Sequence, residues 1–289
     1  MSTKTTALKP KKSGDLSGTS TGYKVFSVVI LIVLTLFLLF PLYWIVTGSF
    51  KDDIAINAKE PVWFPLEPTL EHYQELFARP AFLWLFNIVF ISAAAMVLTC
   101  ITAALAGYAL GKKRFIGQKL LFTIIICAMA LPKQVIVIPL AQEMNLMGLI
   151  DTLWAVILPT VGWPFGVFLM KQFAETIPGE ILEAARVDGA GELRTFITVV
   201  LPMIKPGIGA LAIFTFVNTW NDYFLQLVML QTDKQWTLPL AISNLQGEMS
   251  TDFGLIMAGA ALAAVPIIIV FIAFQKYFTQ GIAMGAVKG

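Results

Sequence analysis

The feature that most constrains this chain is a pair of long runs without a charged residue, Val25 to Phe50 and Ala81 to Gly111. A helix crossing the roughly 30 Å hydrocarbon core of a bilayer needs about 20 mostly apolar residues. In lipid every backbone N–H and C=O must be satisfied within the segment, which selects helices over open strands. The gaps between charges place six spans, at 25–47, 86–110, 119–140, 152–171, 206–229 and 254–276, with Lys133 interrupting the third. The expected fold class is all-α, a polytopic membrane protein of six transmembrane helices. Composition agrees: 13% of residues are charged, about half the share of an ordinary soluble domain, and the mean hydropathy is +0.79. That leaves too little polar surface for a soluble enzyme and too much apolar content for a disordered chain. Cys100 and Cys127 are too few for a disulfide-stapled domain, and a net charge of +2 makes no case for nucleic acid. The first apolar run is too long for the core of a cleavable signal peptide, and no small-residue cleavage site follows it.

Lysine and arginine mark the cytoplasmic loops of a membrane protein. The two termini and the loops between spans 2 and 3 and between spans 4 and 5 carry 15 of them. The opposite loops carry four, Lys51, Lys59, Arg79 and Lys234. Both termini are therefore expected in the cytoplasm. Residues 1–24, rich in Lys, Ser, Thr and Gly without apolar periodicity, read as a disordered tail. Residues 25–276 read as the membrane domain and 277–289 as a cytoplasmic C-terminal tail.

Catalytic chemistry is scarce. His72 stands alone in the first outside loop and is expected to be solvated there. Cys100 and Cys127 read as small packing residues within spans, and no zinc spacing is present. Gly107-Tyr-Ala-Leu-Gly111-Lys112-Lys113 approaches a phosphate loop. It has three residues between the glycines where four are needed, and no Ser or Thr follows the lysine. It reads as a close-packed helix end followed by inside-facing lysines.

The loop between spans 4 and 5, 177–205, is the least ordinary segment. Pro178 suits a helix start, and Glu180 and Glu183 fall in the first turns, where the dipole favours acidic groups. Ile181, Leu182 and Ala185 recur at helical spacing. Asp188-Gly189 ends that helix, with Gly189 free to take a left-handed cap. A second short helix is expected from Glu192 to Val200, stopped by Pro202. Ala184 and Ala185 allow another protein surface to come close.

Glu183-Ala-Ala-Arg-Val-Asp-Gly189 with Leu201-Pro202 downstream resembles the EAA signature of ABC-importer membrane subunits, with Val199 standing where that pattern has Ile. The Asp-Gly-Ala at 188–190, the stretch Asn218-Thr-Trp-Asn-Asp-Tyr-Phe224 and the C-terminal run from Gln275 are similar to the carbohydrate, MalG-like branch. The resemblance implies the type I (MetI-like) permease fold in a bacterial inner membrane. It implies a second homologous permease subunit, two cytoplasmic ATPase subunits and an extracytoplasmic solute-binding protein as partners. It implies no cofactor on this chain, with ATP and Mg on the partner ATPase. In this family the loop is a coupling helix, so Glu183, Ala184 and Gly189 are expected to contact the ATPase, with Ala185 and Asp188 in support. Glu183 either pairs with a basic partner residue or caps its own helix. The loop between spans 5 and 6 is expected to reach the binding protein through Trp236, Asn244 and Gln246.

A sugar needs hydrogen-bonding groups and stacking faces rather than charge inside a membrane. Asn218, Trp220 and Asn221 on span 5 and Lys133 and Gln134 on span 3 are the candidates for a solute path. The alternative for the span 5 residues is bonding to neighbouring helices. Lys133 either faces the pore or, as the preferred expectation, snorkels outward. An anionic solute such as glycerol 3-phosphate is the alternative substrate, and Lys133 keeps it open. A membrane enzyme would need clustered titratable groups near one face, and a purely structural subunit would need no polar cluster at 218–222.

Overall fold

A computed structural model describes residues 21–245 and 252–286, with side chains as far as residue 276. All regular secondary structure among the described residues is helical, with no strand. Helix α1 spans Thr21–Gly48, followed by two short helices, α2 (Asp53–Ile56) and α3 (Glu71–Ala78). The long α4 (Ala81–Lys112) precedes α5 (Gln118–Met129) and α6 (Lys133–Leu146). Then come α7 (Trp154–Val161), α8 (Phe165–Glu175), α9 (Gly179–Val187) and α10 (Glu192–Thr195). A π-helical turn, Phe196–Val200, leads to α11 (Leu201–Met203), α12 (Lys205–Asn221) and α13 (Tyr223–Met229). Helices α14 (Leu238–Leu245) and α15 (Phe253–Ala286) complete the described chain.

Four segments are long and apolar enough to cross a membrane without a sharp bend: Thr21–Gly48, Ala81–Lys112, Trp154–Glu175 and Phe253–Lys276. The other two expected spans are broken. The third bends by 108° between α5 and α6, at Ala130-Leu131-Pro132, because the residue before a proline leaves the helical region. The fifth is interrupted at Asp222, whose φ of −80° and ψ of 65° end α12 and start α13. The chain also turns by 76° between α11 and α12.

Helix α1 begins at Thr21, so residues 21–24 belong to the helix rather than to the tail, and residues 1–20 lie outside the described residues. At the other end α15 continues to Ala286, through most of the segment expected as a C-terminal tail. His72 departs furthest from expectation. It is 3% exposed, not solvated, because its ring reaches back to the Lys51 carbonyl at 2.8 Å and packs beneath the start of α15. Cys100 is half-buried and Cys127 lies on the surface, both with free thiols.

The core is layered along the bundle. One cluster, with Leu76, Trp84, Phe216, Trp220 and Leu238, sits at the end opposite the EAA loop. A second gathers Ile91, Val137, Val156, Leu225 and Met229. The third, with Ala103, Tyr108, Met170, Leu182 and Phe196, lies at the EAA-loop end. Helices α4 and α8 approach most closely there. A Cβ on Gly107 would stand 2.6 Å from the Met170 carbonyl carbon, and one on Gly111 3.1 Å from Ala174 Cβ. Small residues four apart let two backbones touch, which is how helices associate when lipid supplies no hydrophobic drive.

Candidate functional site

Two regions carry the candidate residues, one at each end of the α4–α8 pair. The first is the EAA loop. Helix α9 ends in a Schellman cap: the Ala190 N–H donates to the Ala185 carbonyl and the Gly189 N–H to the Arg186 carbonyl, both at 3.0 Å. Gly189 has φ +76°, a left-handed value that glycine takes without a Cβ penalty. Leu182 is buried and anchors α9 to the bundle. Glu183, Ala184, Arg186, Val187, Asp188 and Gly189 are exposed, and Ala185 is half-buried. Val187 is 87% exposed, so a short helix held by one leucine displays an apolar tip and three acidic groups, Glu180, Glu183 and the capping Asp188. The second helix of the loop does not stop at Pro202. It widens into the π turn and runs to Met203, because Pro202 occupies the first turn of α11, where its missing N–H is harmless. The bend falls instead at Ile204.

Two adjacent lysines at this end are engaged. Lys112 Nζ donates to the carbonyls of Glu175 at 3.1 Å and Ile177 at 2.6 Å. Lys113 Nζ pairs with the Glu192 carboxylate, which also accepts from Tyr108 Oη at 3.2 Å. Burial alone would lower the Lys113 pKa, but its bonds to Glu192 and Tyr108 outweigh that and raise it. The Lys113 hydrogen bond in turn holds Glu192 below the usual carboxylate range.

The second region is a cavity of about 240 Å³ where α4, α6, α8 and α12 meet. Its ion pair is the least expected feature. Lys133 Nζ lies 3.2 Å from Asp222 Oδ2 and 4.9 Å from the Trp163 ring centre. Lys133 therefore turns into the bundle instead of snorkelling outward. It opens α6, where the helix dipole disfavours a cation, and the Asp222 carboxylate compensates. The other carboxylate oxygen, Oδ1, accepts from the Leu225 N–H at 3.3 Å and caps α13. One aspartate thus closes the break in α12 and neutralises the cation at the break in α5–α6. The Thr219 carbonyl beside the break accepts from Gln226 Nε2 at 2.9 Å, and Gln226 Oε1 accepts from Thr237 Oγ1 at 2.5 Å. The Thr219 carbonyl thus has a buried side-chain donor as well as the Asp222 N–H, at 3.3 Å, and the backbone at the break is satisfied within the bundle.

Asn218 also lines the cavity, with Thr160, Thr99 and Trp163. The remaining sequence candidates lie elsewhere. Trp220 is 2% exposed and stacks on Phe216 in the core, ring centres 5.6 Å apart. Asn221 is exposed, and its amide donates back to the Val217 carbonyl at 2.8 Å. Gln134 is exposed and does not line this cavity. Helical spacing separates them: Thr215, Asn218, Thr219 and Asp222 share one face at i, i+3, i+4 and i+7, and positions 220 and 221 fall off it. The sequence candidates omitted the cavity residues Asp222, Trp163, Thr160 and Thr99 and the supporting Gln226; of these, an acid and an amide in an otherwise apolar run were visible signals.

The loop between spans 5 and 6 is packed against the bundle as far as Leu245. Asp151 Oδ1 accepts from the backbone N–H groups of Gln231 and Thr232 at 2.8 and 2.9 Å. Asn87 Nδ2 donates to the carbonyls of Lys234 and Trp236. Trp236 and Asn244 are half-buried, and Gln246 lies outside the described residues.

The family model for the inner membrane component of binding-protein-dependent transport systems matches residues 103–284. The chain belongs to this family. It is 33% identical to the arabinooligosaccharides transport system permease protein AraQ of Halalkalibacterium halodurans, over 86% of this chain and 91% of that one. It is 34% identical to the melibiose/raffinose/stachyose import permease protein MelC of Bacillus subtilis, with the same coverage. The permease fold is shared with a chain of a bacterial ABC transporter involved in alginate import. That match has a TM-score of 0.78 at 24% identity, over 90% of this chain and 99% of that one. A chain of the MetNI methionine ABC transporter matches with a TM-score of 0.55 at 18% identity, over 73% of this chain and 98% of that one. The permease is thus a multi-pass membrane protein with the expected MetI-like fold.

Proposed function

We propose that this permease forms part of the solute path of an ATP-driven sugar importer and moves uncharged, hydroxylated solutes. The observation that carries this reading is the cavity at the helix breaks, whose only described charges cancel within the Lys133–Asp222 pair. A solute there meets the Trp163 face, threonine hydroxyls and the Asn218 amide, groups suited to sugar hydroxyls and ring faces. Relatives named for arabinooligosaccharide and for melibiose, raffinose and stachyose transport support a sugar. Glycerol 3-phosphate fits less well, because the cation that would attract it is already committed to Asp222.

The working assembly in this reading has a second permease, two cytoplasmic ATPase subunits that bind ATP and Mg, and an extracytoplasmic binding protein. Both termini and the EAA loop face the cytoplasm, as the lysine and arginine bias requires. Helix α9, with Glu183, Ala184 and Gly189 presented and Ala185 and Asp188 in support, docks on an ATPase subunit. Closure of the ATPase pair then moves the spans as rigid bodies. The test is reconstitution of the whole importer in proteoliposomes. ATP-dependent uptake of labelled neutral oligosaccharides that glycerol 3-phosphate does not inhibit is the expected result. Uptake of glycerol 3-phosphate in preference to every neutral sugar would overturn it.

A further inference from the structure

We propose that Lys112 and Lys113, at the EAA-loop end of α4, form a two-armed clamp that brackets α9, with Glu192 as its acidic anchor. The clamp rests on the coupling role assigned to α9 above. One arm, Lys112, holds the Glu175 and Ile177 carbonyls, just before α9. These lie at the C-terminal end of α8, where backbone acceptors lack partners and a cation is favoured. The other arm, Lys113, holds Glu192, just after α9. Tyr108, one turn back on α4, donates to the same carboxylate, and Arg186 of α9 itself lies 3.7 Å from its second oxygen. Both flanks of the docking helix are thus tied to one point on α4.

The Gly107–Gly111 stripe continues the connection. It seats α4 directly on the α8 backbone, and the same two helices carry Thr99 and Gly166 into the cavity wall. A displacement of α9 therefore reaches the cavity through packed backbone rather than through loose loop. Inside-facing lysines that served topology alone would have no need of these partners. A half-exposed ion pair adds little to folding stability, so the clamp acts on the position of α9.

The test uses the full importer with its ATPase subunits and binding protein in proteoliposomes, read as solute moved per ATP hydrolysed. Lys113→Met and Glu192→Gln are each expected to lower that ratio by a factor between about two and about thirty, with the ATPase subunits still co-purifying. The double variant is expected to fall no further than the worse single, because the two residues share one interaction. Lys112→Met is expected to lower the ratio through the other arm, and Lys113→Arg, which keeps the charge, to preserve it. Wild-type ratios in Lys113→Met and Glu192→Gln would overturn the clamp, as would losses that multiply in the double variant. Several independent variants keep the test open if one fails to assemble. Gly189→Asp separates the two readings. Normal uptake in that variant removes the coupling role of α9 itself, whereas lost uptake beside intact clamp variants removes only the clamp.

Discussion

Replacing Gly107 with alanine tests the α4–α8 seam directly. The added Cβ would lie 2.6 Å from both the carbonyl carbon and Cβ of Met170, and 2.7 Å from the Lys171 nitrogen. Carbon atoms rest at about 3.5–4.0 Å, so the helices must part by about 1 Å. Two of the three obstructing atoms are backbone, and Met170 is fully buried, so no side-chain rotation relieves the clash. Overpacking of this kind costs about 1–3 kcal/mol, and the upper part of that range applies here. Gly111→Ala is the internal control. Its Cβ meets Ala174 Cβ at 3.1 Å and the Lys171 carbonyl at 3.2 Å, which yields to a shift of a few tenths of an ångström. Alanine also recovers up to about 1 kcal/mol of helix propensity over glycine. The expected separation between the variants is therefore about 2 kcal/mol, with Gly107→Ala the weaker protein. Unfolding by sodium dodecyl sulfate in mixed micelles, followed by circular dichroism, measures it. A Gly107→Ala variant as stable as wild type, or less damaged than Gly111→Ala, would refute the close-packed seam.

Gly189→Asp is expected to fold, since among the described residues nothing lies within 4 Å of the new Cβ and aspartate enters the left-handed region at a local cost that one exposed position can absorb. It is expected to abolish ATP-dependent uptake while the binding protein still captures solute; calorimetry on the binding protein and transport assays on vesicles check both halves. Lys133→Met leaves Asp222 as a largely buried lone carboxylate. Its melting temperature is expected to lie below that of Lys133→Met/Asp222→Asn, because half of a pair is worse than none, although 39% exposure of Lys133 moderates the gap. Burial alone would raise the pKa of Asp151, but backbone N–H groups of Thr232 and Gln231 overcome it and hold the carboxyl below its ordinary value. A depressed carboxyl stabilises above its unfolded pKa of about 4 and stops doing so as pH falls through the folded value. Asp151→Asn is thus expected to be less stable than wild type at pH 7, with the difference shrinking as pH falls below about 4 in thermal unfolding.

What could be read without coordinates was whatever depends on neighbours along the chain. Charge-free length set the membrane class and the spans, because hydrocarbon penalises a charge wherever the partner helices lie. Helix α9 was legible down to its last residue: Pro178 opens it, Asp188-Gly189 closes it, and Gly189 takes the left-handed cap its lack of a Cβ permits. The small-residue seam was legible as Gly107 and Gly111 four apart, though not the helix it meets. Lys133 was read as interrupting the third span, but the bend of 108° just before it was not foreseen. The tertiary structure alone decided the partners. Lys133 and Asp222 are 89 positions apart, and hydropathy treats each as an isolated cost, whereas a fold that brings two helix breaks together cancels them. His72 is equally ambiguous by itself, a loop histidine until a carbonyl 21 positions away and the start of α15 cover it. Local sequence determines which backbone a segment adopts. Which polar groups end in water, in the core or in the cavity depends on packing between distant helices, because in a membrane hydrophobicity alone does not rank one helix–helix contact above another.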